Sequence, residues 1–420
     1  MSQWLDNALA RAADVHDWLA PQRRESLALL RNAEWPTRKT EAWKYTPVTA
    51  LERSELSRVA ANREFPVLDS ITGLDSIDLV LIDGEFSAEL SIAELPAGLT
   101  FTALRNADAN QQARARELFG SVKPERHLFG LVNDVLAVDG LLIEIVPEVA
   151  IERPLRIVHL VSESAEAHSR VLVRVGAKAR VTIVEQVVGN QPSFNTSFAE
   201  YMIESQAKME HYRFAMQTGE AMAVGGSHFN LADDSELNST IVGFGSSLSR
   251  LDTDITHAGE NAFAKLNAIY LLDGTELFDL HSTVEHAVPR GTTEENVRGI
   301  VADRARAVFN GRIHIHRYAQ KTVAELNNRN LLVSDKATIN TKPELEIYAD
   351  DVRCAHGATV AEIDKHALYY LQSRGISRNQ AQVMLNFGFI NELVEQMPNQ
   401  TLAEWLRPQL RKRFAAMDVK

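Results

Sequence analysis

The sequence has a single cysteine, Cys354, in 420 residues, and it has no long apolar run. A lone thiol cannot form a disulfide within the chain, which excludes a disulfide-stabilised secreted scaffold. No segment approaches the roughly 20 apolar residues that a membrane-spanning helix needs. Residues 1–6 lack the basic and apolar regions that begin a signal peptide. Together these absences predict a cytoplasmic protein that does not enter a membrane.

Common nucleotide, metal and nucleophile motifs are missing as well. The chain has no Gly-x-x-x-x-Gly-Lys-[Ser/Thr], so it hydrolyses no nucleotide through a P-loop. It also lacks His-Glu-x-x-His, Cys-x-x-Cys and Gly-x-Ser-x-Gly. The formal net charge of -12 argues against nucleic-acid binding, because contact with phosphates requires a basic face.

The middle of the chain, about 100–350, consists of short strand-like runs separated by turn residues. A loose repeat of a turn followed by a strand includes Ala179, Ala207 and Ala262, with steps of 28 and 55 residues. Repeats of this length without helices favour stacked coils of a parallel β-helix, in which each coil buries apolar residues against its neighbours. A large antiparallel sandwich is the alternative.

Both ends of the chain show helical patterns. Apolar residues recur at three- and four-residue steps in residues 2–32, and Pro21 suits the first turn of a second helix. The last 60 residues contain three capping boxes, which begin at Thr359, Ser377 and Thr401. The sequence therefore predicts a mainly β fold in which helical modules flank the β-helix core.

We divide the chain into four regions on this basis. Residues 1–65 form an N-terminal helical module, and residues 66–100 form a linker with a hairpin at Asp83-Gly84. The parallel β-helix core spans residues 101–357, and a C-terminal helical module spans residues 358–420.

Cys354 and His356 are the candidate metal ligands, in the polar, turn-rich run 350–359. Two residues at i and i+2 of an extended segment point to the same side. Thiolate and imidazole both bind iron and zinc, but two ligands do not complete a tetrahedral site. The other ligands would come from elsewhere in the chain or from a partner, which favours a half-site at an interface. A buried, inert cysteine is the structural alternative.

Other polar clusters and an aromatic segment allow both structural and functional interpretations. His314 and His316 place two imidazoles on one strand face, as a metal pair or as the polar face of a coil. His281 and His286 are expected on opposite faces of a strand. The aromatic residues of segment 35–47 would either anchor a partner or hold this loop on its own domain.

Three segments together resemble the SufB/SufD family of iron–sulfur cluster assembly scaffolds. The chain length, the helical N-terminal module with Trp43-Lys44-Tyr45 and the single cysteine resemble the SufD branch of that family. The segments are Pro36-Thr37-Arg38-Lys39-Thr40-Glu41-Ala42-Trp43-Lys44-Tyr45-Thr46, the run 328–337 with Leu331-Leu332-Val333-Ser334-Asp335, and Pro343-Glu344-Leu345-Glu346-Ile347 followed by the run 350–359.

The resemblance implies a non-catalytic scaffold with a right-handed parallel β-helix. It implies pairing with SufB through the β-helix and docking of the ATPase SufC on the C-terminal helices, while the sequence leaves open whether the chain forms a homodimer when it is alone. A transient iron–sulfur cluster or iron would be shared with SufB, with His356 and Cys354 as this chain's contribution. Reduced flavin would associate with the whole complex, although no residue marks its site. The expected SufC-binding residues are His366, Leu368, Tyr369, Tyr370 and Arg374.

Two other functions stay open at this point. The chain could be a structural adaptor in which Cys354 is an inert packing residue. It could also be a β-helix carbohydrate-active enzyme, such as a polysaccharide lyase, which would need clustered carboxylates or basic residues in a groove.

Overall fold

The structure is a computed structural model, which describes residues 2–57, 68, 70–91, 94–362 and 364–417. The described residues are mainly β, with a parallel β-solenoid of about eight turns and helices towards both ends, which confirms the predicted fold class. Their eight α-helices are α1 (Gln3–Ala13), α2 (Ala20–Asn32), α3 (Thr49–Glu52), α4 (Ala109–Leu118), α5 (Leu128–Leu136), α6 (Lys365–Ser373), α7 (Arg378–Glu395) and α8 (Gln400–Ala416).

From β4 onward the described strands alternate along the chain between two sheets. They are β1 (Ile77–Ile82), β2 (Glu85–Ser87), β3 (Leu99–Ala103), β4 (Asp139–Ile145), β5 (Leu155–Leu160), β6 (Glu166–Val175), β7 (Arg180–Val187), β8 (Ser193–Ile203), β9 (Lys208–Ala215), β10 (Ala221–Leu231), β11 (Glu236–Gly243), β12 (Ser249–His257), β13 (Phe263–Leu272), β14 (Leu277–His286), β15 (Thr292–Val301), β16 (Arg306–Ile315), β17 (Val323–Leu332), β18 (Thr338–Ile347) and β19 (Arg353–Ala361).

Two parallel ladders form the solenoid. The first ladder contains the even-numbered strands β4 to β18, and the second contains the odd-numbered strands β5 to β19. The antiparallel strand β3 begins the first ladder, and the hairpin of β1 and β2 begins the second. Asp83 and Gly84 join that hairpin with φ of 51° and 83°, which confirms the hairpin predicted from these two residues.

The core lies between the ladders, where inward side chains of successive coils stack on one another. Leu237 of β11, for example, is in register with Ala264 of β13, and both are fully buried. Because the strands are parallel and in register, each inward position is covered by the same position one coil later. This stacking produces one continuous apolar core along the solenoid.

One residue with positive φ marks the same turn in successive coils. In six of the seven turns its N–H donates to a carbonyl of the next coil, as Gln206 does to the oxygen of Asp233 at 2.9 Å. The repeated residues Ala179, Ala207 and Ala262 found in the sequence each follow one of these turn residues. The repeat therefore marks the same turn in each coil. The residues are Glu148, Lys178, Gln206, Asp234, Asn261, Arg290 and Lys321.

The helices cover the outer faces of the ladders. Helices α1, α2 and α5 pack on apolar residues of the first ladder, such as Phe194 and Val224. Helices α7 and α8 pack on the second ladder, where Phe214 and Ile269 are buried. The apolar patches under these helices let the helices bury their own apolar faces against the solenoid.

The structure departs from the sequence prediction in several segments. Residues 101–357 contain α4 and α5, which belong to neither ladder, and β19 ends at Ala361. The capping box at Thr359 is wrong because this residue lies inside β19, whereas Ser377 forms the predicted box with Gln380. Thr401 is displaced from the true N-cap, Asn399.

The division of the chain into four regions stays a prediction. Its first boundary, between residues 65 and 66, lies outside the described residues. At the N-terminus the two expected helices are present, and Pro21 lies in the first turn of α2 as predicted.

Candidate metal and partner-binding site

The last coil leaves the end of the solenoid open. Within the described residues, β18 and β19 are the terminal strands of their ladders, and each pairs with a strand on one side only. β18 is half-buried to exposed, and β19 is exposed over most of its length. A terminal strand presents free backbone N–H and C=O groups, so this end of the molecule can accept a further strand.

Cys354 and His356 lie on the face of β19 that continues the solenoid interior. Cys354 is in register with Ala324 and His356 with Leu326, and these two residues of β17 are buried in the core. The side chains of Cys354 and His356 therefore point in the direction that would be core if another coil followed. The sequence prediction that they share one face agrees with this register.

The thiol and the imidazole differ in exposure. Cys354 is partly buried against the apolar core, whereas His356 is exposed. Burial raises the pKa of the Cys354 thiol above its ordinary value, although a hydrogen bond with the backbone of Ala324 acts in the opposite direction. A metal ion bound here would therefore have to displace the thiol proton.

Helix α6 follows β19 closely in the sequence, and it carries exposed aromatic residues. None of its residues, all of which are described, is buried. Asp364 caps the helix by accepting a hydrogen bond from the backbone of His366 at 2.8 Å. Tyr369 is 74% exposed and Tyr370 is 58% exposed, and the guanidinium of Arg374 lies 5.3 Å from the ring centre of Tyr370. An aromatic helix face of this kind is typical of a protein-binding surface.

The histidines of β14 lie on opposite faces, as predicted. His281 faces outward and its Nε2 lies 3.0 Å from a carboxylate oxygen of Asp279. His286 is fully buried and its ring stacks on that of His257 with 4.1 Å between centres. These two residues do not converge on one site.

His314 and His316 lie side by side on the outer face of the first ladder. Their ring centres are 4.4 Å apart. Glu285, from the preceding coil, joins them, and the three side chains offer ligand atoms within 4.8 Å of one another. No local motif in the sequence joins Glu285 to this pair, but the coil repeat predicts the contact, because Glu285 and His314 are in register on neighbouring strands.

The aromatic residues of segment 35–47 mainly hold this loop on its own domain. Trp43 is buried and lies 5.3 Å from the ring centre of Phe129. Trp35 lies 5.6 Å from Trp4, and its indole N–H donates to a carboxylate oxygen of Glu52 at 2.7 Å. The structural interpretation of these two tryptophans is therefore correct.

Comparison with known proteins identifies the family. The model of the SUF system FeS cluster assembly SufBD core domain matches residues 158–389. The model of the SufBD protein N-terminal region matches residues 6–157. The chain therefore belongs to the SufBD family of iron–sulfur cluster assembly proteins, which confirms the resemblance found in the sequence.

Individual relatives extend over nearly the whole chain. The iron-sulfur cluster assembly protein SufD of Escherichia coli is 29% identical, over 94% of this chain and 93% of its own length. An iron-sulfur cluster assembly SufBD family protein of Synechocystis is also 29% identical, over 95% of this chain and 92% of its own length. The protein ABCI7, chloroplastic, of Arabidopsis thaliana is 27% identical, over 97% and 88% respectively.

The described helices include none that is long and apolar enough to cross a membrane. The matched families do not point to a flavin.

Proposed function

We propose that this chain is a non-catalytic scaffold subunit that pairs with SufB and provides Cys354 and His356 to a shared site for cluster assembly. The nascent iron–sulfur cluster, or its iron, is the cargo of this site. One observation carries the proposal: both side chains lie on the interior face of the last coil, which no further coil of the described residues covers. The name of the similar Escherichia coli protein, SufD, supports the same assignment.

The open ladder ends support pairing through the solenoid. A partner of the same fold could add its own terminal strands to β18 and β19 and thereby satisfy their free backbone groups. This arrangement would bring the partner's ligands to the face that carries Cys354 and His356. A second copy of this chain would fit the same edges, so we expect a homodimer in the absence of SufB.

The C-terminal helices are the proposed docking surface for the ATPase SufC, which would hydrolyse ATP on behalf of the complex. The surface consists of His366, Leu368, Tyr369, Tyr370 and Arg374 on and beside α6. Two exposed tyrosines beside an arginine match the residue types that dominate binding energy in protein interfaces. We further propose that the protein acts in the cytoplasm, although one relative is named as chloroplastic.

The proposal is tested by co-expressing the chain with SufB and SufC and purifying the complex without oxygen. Iron and acid-labile sulfide are quantified for the wild type and for His356→Ala. We expect an intact complex that has lost most of its cluster, because the half-site lacks its imidazole. His16→Ala, which removes an exposed histidine from the other end of the chain, is the matched control. An unchanged cluster content in His356→Ala would place the assembly chemistry on the partner.

A structural role for Cys354 is the second candidate, because this side chain packs against the core. Cys354→Ser distinguishes the two roles. Loss of stability with normal cluster content would make the thiol a packing residue, whereas normal stability with loss of cluster would make it a ligand or a carrier of sulfur.

We also infer that ATP hydrolysis by SufC opens the site. Equal rates of thiol labelling at Cys354 with and without ATP would contradict that inference.

A further inference from the structure

We propose that Glu285, His314 and His316 form a second binding site, for a divalent transition-metal ion such as Fe²⁺ or Zn²⁺. It includes none of the residues assigned to cluster assembly, so it stands independently of that proposed function. The three side chains come from two adjacent coils and meet on the outer face of the first ladder, where β14 and β16 end.

The ligand atoms already have nearly the spacing that a metal requires. Metal–nitrogen and metal–oxygen bonds of about 2.0–2.1 Å at tetrahedral angles place neighbouring ligand atoms about 3.3 Å apart. Nε2 of His316 lies 3.3 Å from Oε2 of Glu285, and Nδ1 of His314 lies 3.9 Å from Oε1 of the same carboxylate. Small rotations of the side chains would therefore complete the geometry.

One ligand atom lacks any other role in the described part of the chain. Nδ1 of His314 is buried and makes no hydrogen bond within the described residues. A buried polar nitrogen without a partner is unfavourable, and a metal ion would satisfy it. The ring of Tyr348 packs edge-on against His314 at 5.5 Å between centres and limits the positions the imidazole can adopt.

Charge at the site is compatible with a cation. Nη1 of Arg312 lies 3.6 Å from Oε1 of Glu285, but its guanidinium donates two hydrogen bonds of 2.9 Å to the carboxylate of Glu346. That carboxylate neutralises Arg312 and leaves the Glu285 charge available. Two imidazoles and one carboxylate form a donor set that suits zinc or iron and leaves positions open for water.

Two groups of described residues could hold a metal ion, and solvent exposure favours the group of Glu285, His314 and His316. The side chains of Glu285 and His316 are 33% and 42% exposed, so an ion can reach them from solvent. His127, His228 and Asp254 are all buried instead, and the Asp254 carboxylate is already occupied by hydrogen bonds with both imidazoles. We therefore assign metal binding to the first cluster alone.

The experiment titrates the full chain with Co²⁺ as a spectroscopic probe. Cys354→Ser and His356→Ala are present in every sample, so that the proposed cluster site contributes no ligand. We expect one equivalent of Co²⁺ to bind with visible d–d absorption, and Zn²⁺ to displace it. Because loss of even an indirect contact to a metal ligand weakens affinity about 10–100-fold, Glu285→Gln and His316→Gln should each raise the Kd at least tenfold.

His281→Gln is the matched control, because His281 lies on the same strand as Glu285 and also faces outward beside a carboxylate. It should bind Co²⁺ like the parent. Thermal unfolding in the presence of a chelator verifies that each variant is folded. Because there are two test variants, the misfolding of one would still leave the other to test the site. Absence of d–d absorption in the parent, parent-like affinity in both test variants, or an equal loss in His281→Gln would overturn the proposal.

Discussion

The guanidinium of Arg250 lies over the ring of Trp43, with 4.1 Å between its central carbon and the ring centre. Arg250 is buried on β12 and also forms ion pairs with Asp252 at 2.8 Å and Asp279 at 3.0 Å. Trp43 thus covers a buried charge network on the outer face of the solenoid. This contact attaches the N-terminal segment to the middle of the solenoid.

We expect Trp43→Ala to lower the free energy of unfolding by about 3–5 kcal/mol, because it leaves a cavity and exposes the Arg250 network to water. Denaturant unfolding measures the change. Tyr45→Ala is the control, since Tyr45 belongs to the same segment and is 41% exposed. An equal effect of the two substitutions would contradict a specific role for the Trp43–Arg250 contact.

A second prediction concerns Glu185 and Arg213 in the solenoid interior. Both are fully buried, and the Arg213 guanidinium forms an ion pair with the Glu185 carboxylate, which also accepts a hydrogen bond of 2.8 Å from Tyr201. Burial alone would raise the pKa of Glu185, but Arg213 and the hydrogen bond from His211 hold it below the ordinary value.

We expect Arg213→Met to lower the free energy of unfolding by about 3–5 kcal/mol, because it leaves a buried carboxylate without its cation. Adding Glu185→Gln should recover much of that loss, because no buried charge then remains unpaired and the amide oxygen still accepts a hydrogen bond from Tyr201. A double-mutant cycle from denaturant unfolding measures the coupling. If the double variant were as unstable as the sum of the single variants, the pair would contribute no coupling and the prediction would be wrong.

Glu295 predicts a pH dependence of stability. This carboxyl is fully buried on β15, and burial raises its pKa to about 7, although the hydroxyl of Ser282 donates a hydrogen bond that acts in the opposite direction. Above its ordinary pKa the unfolded chain releases this proton while the folded chain keeps it. The folded state then binds more protons, so stability falls as pH rises from about 4.5 to about 7.

Glu295→Gln should remove this pH-dependent loss of stability, because glutamine does not titrate. Relative to the wild type, its free energy of unfolding should improve by about 3 kcal/mol between pH 4.5 and pH 8, since each pKa unit corresponds to about 1.4 kcal/mol. Burial lowers the pKa of His257 to about 4 and that of His286 to about 2, but both proteins contain them, so the difference isolates Glu295. A difference that stays constant over this range would show that Glu295 is not protonated in the fold.

The exposed tyrosines of α6 give a prediction about SufC. Replacing Tyr369 and Tyr370 together with alanine should leave the free energy of unfolding nearly unchanged, because neither ring is buried. It should weaken SufC binding at least tenfold, because aromatic residues dominate such interfaces. Calorimetric titration measures the affinity. Tyr318→Ala, which removes a tyrosine that is 77% exposed in another turn, should leave binding unchanged; equal weakening would place SufC elsewhere.

Some elements could be predicted because their signals are local. The Asp83-Gly84 hairpin requires two residues that tolerate positive φ, and the capping box of Ser377 lies within one helical turn. Thr359 carries an equally good box, yet pairing of β19 with β17 overrides it. Helix α5 is buried along its whole length, and a short apolar run such as Leu128–Leu136 does not distinguish a buried helix from a strand in the sequence.

The candidate sites divide in the same way. Cys354 and His356 are close in sequence, so strand geometry alone places them on one face. Glu285 reaches His314 only through stacking of neighbouring coils, and its partnership therefore depends on the register of β14 and β16. Exposure at the end of the solenoid is a property of the whole fold, which no single motif in the sequence encodes.

The left-handed turn of each coil has an evolutionary consequence. Between Lys178 and Lys321 these turns recur with only slight changes in spacing, while the paired strands keep their register throughout. An insertion within a strand would move every following side chain to the opposite face, whereas an insertion in a turn would not. Relatives whose solenoids differ in length should therefore differ by a whole number of coils.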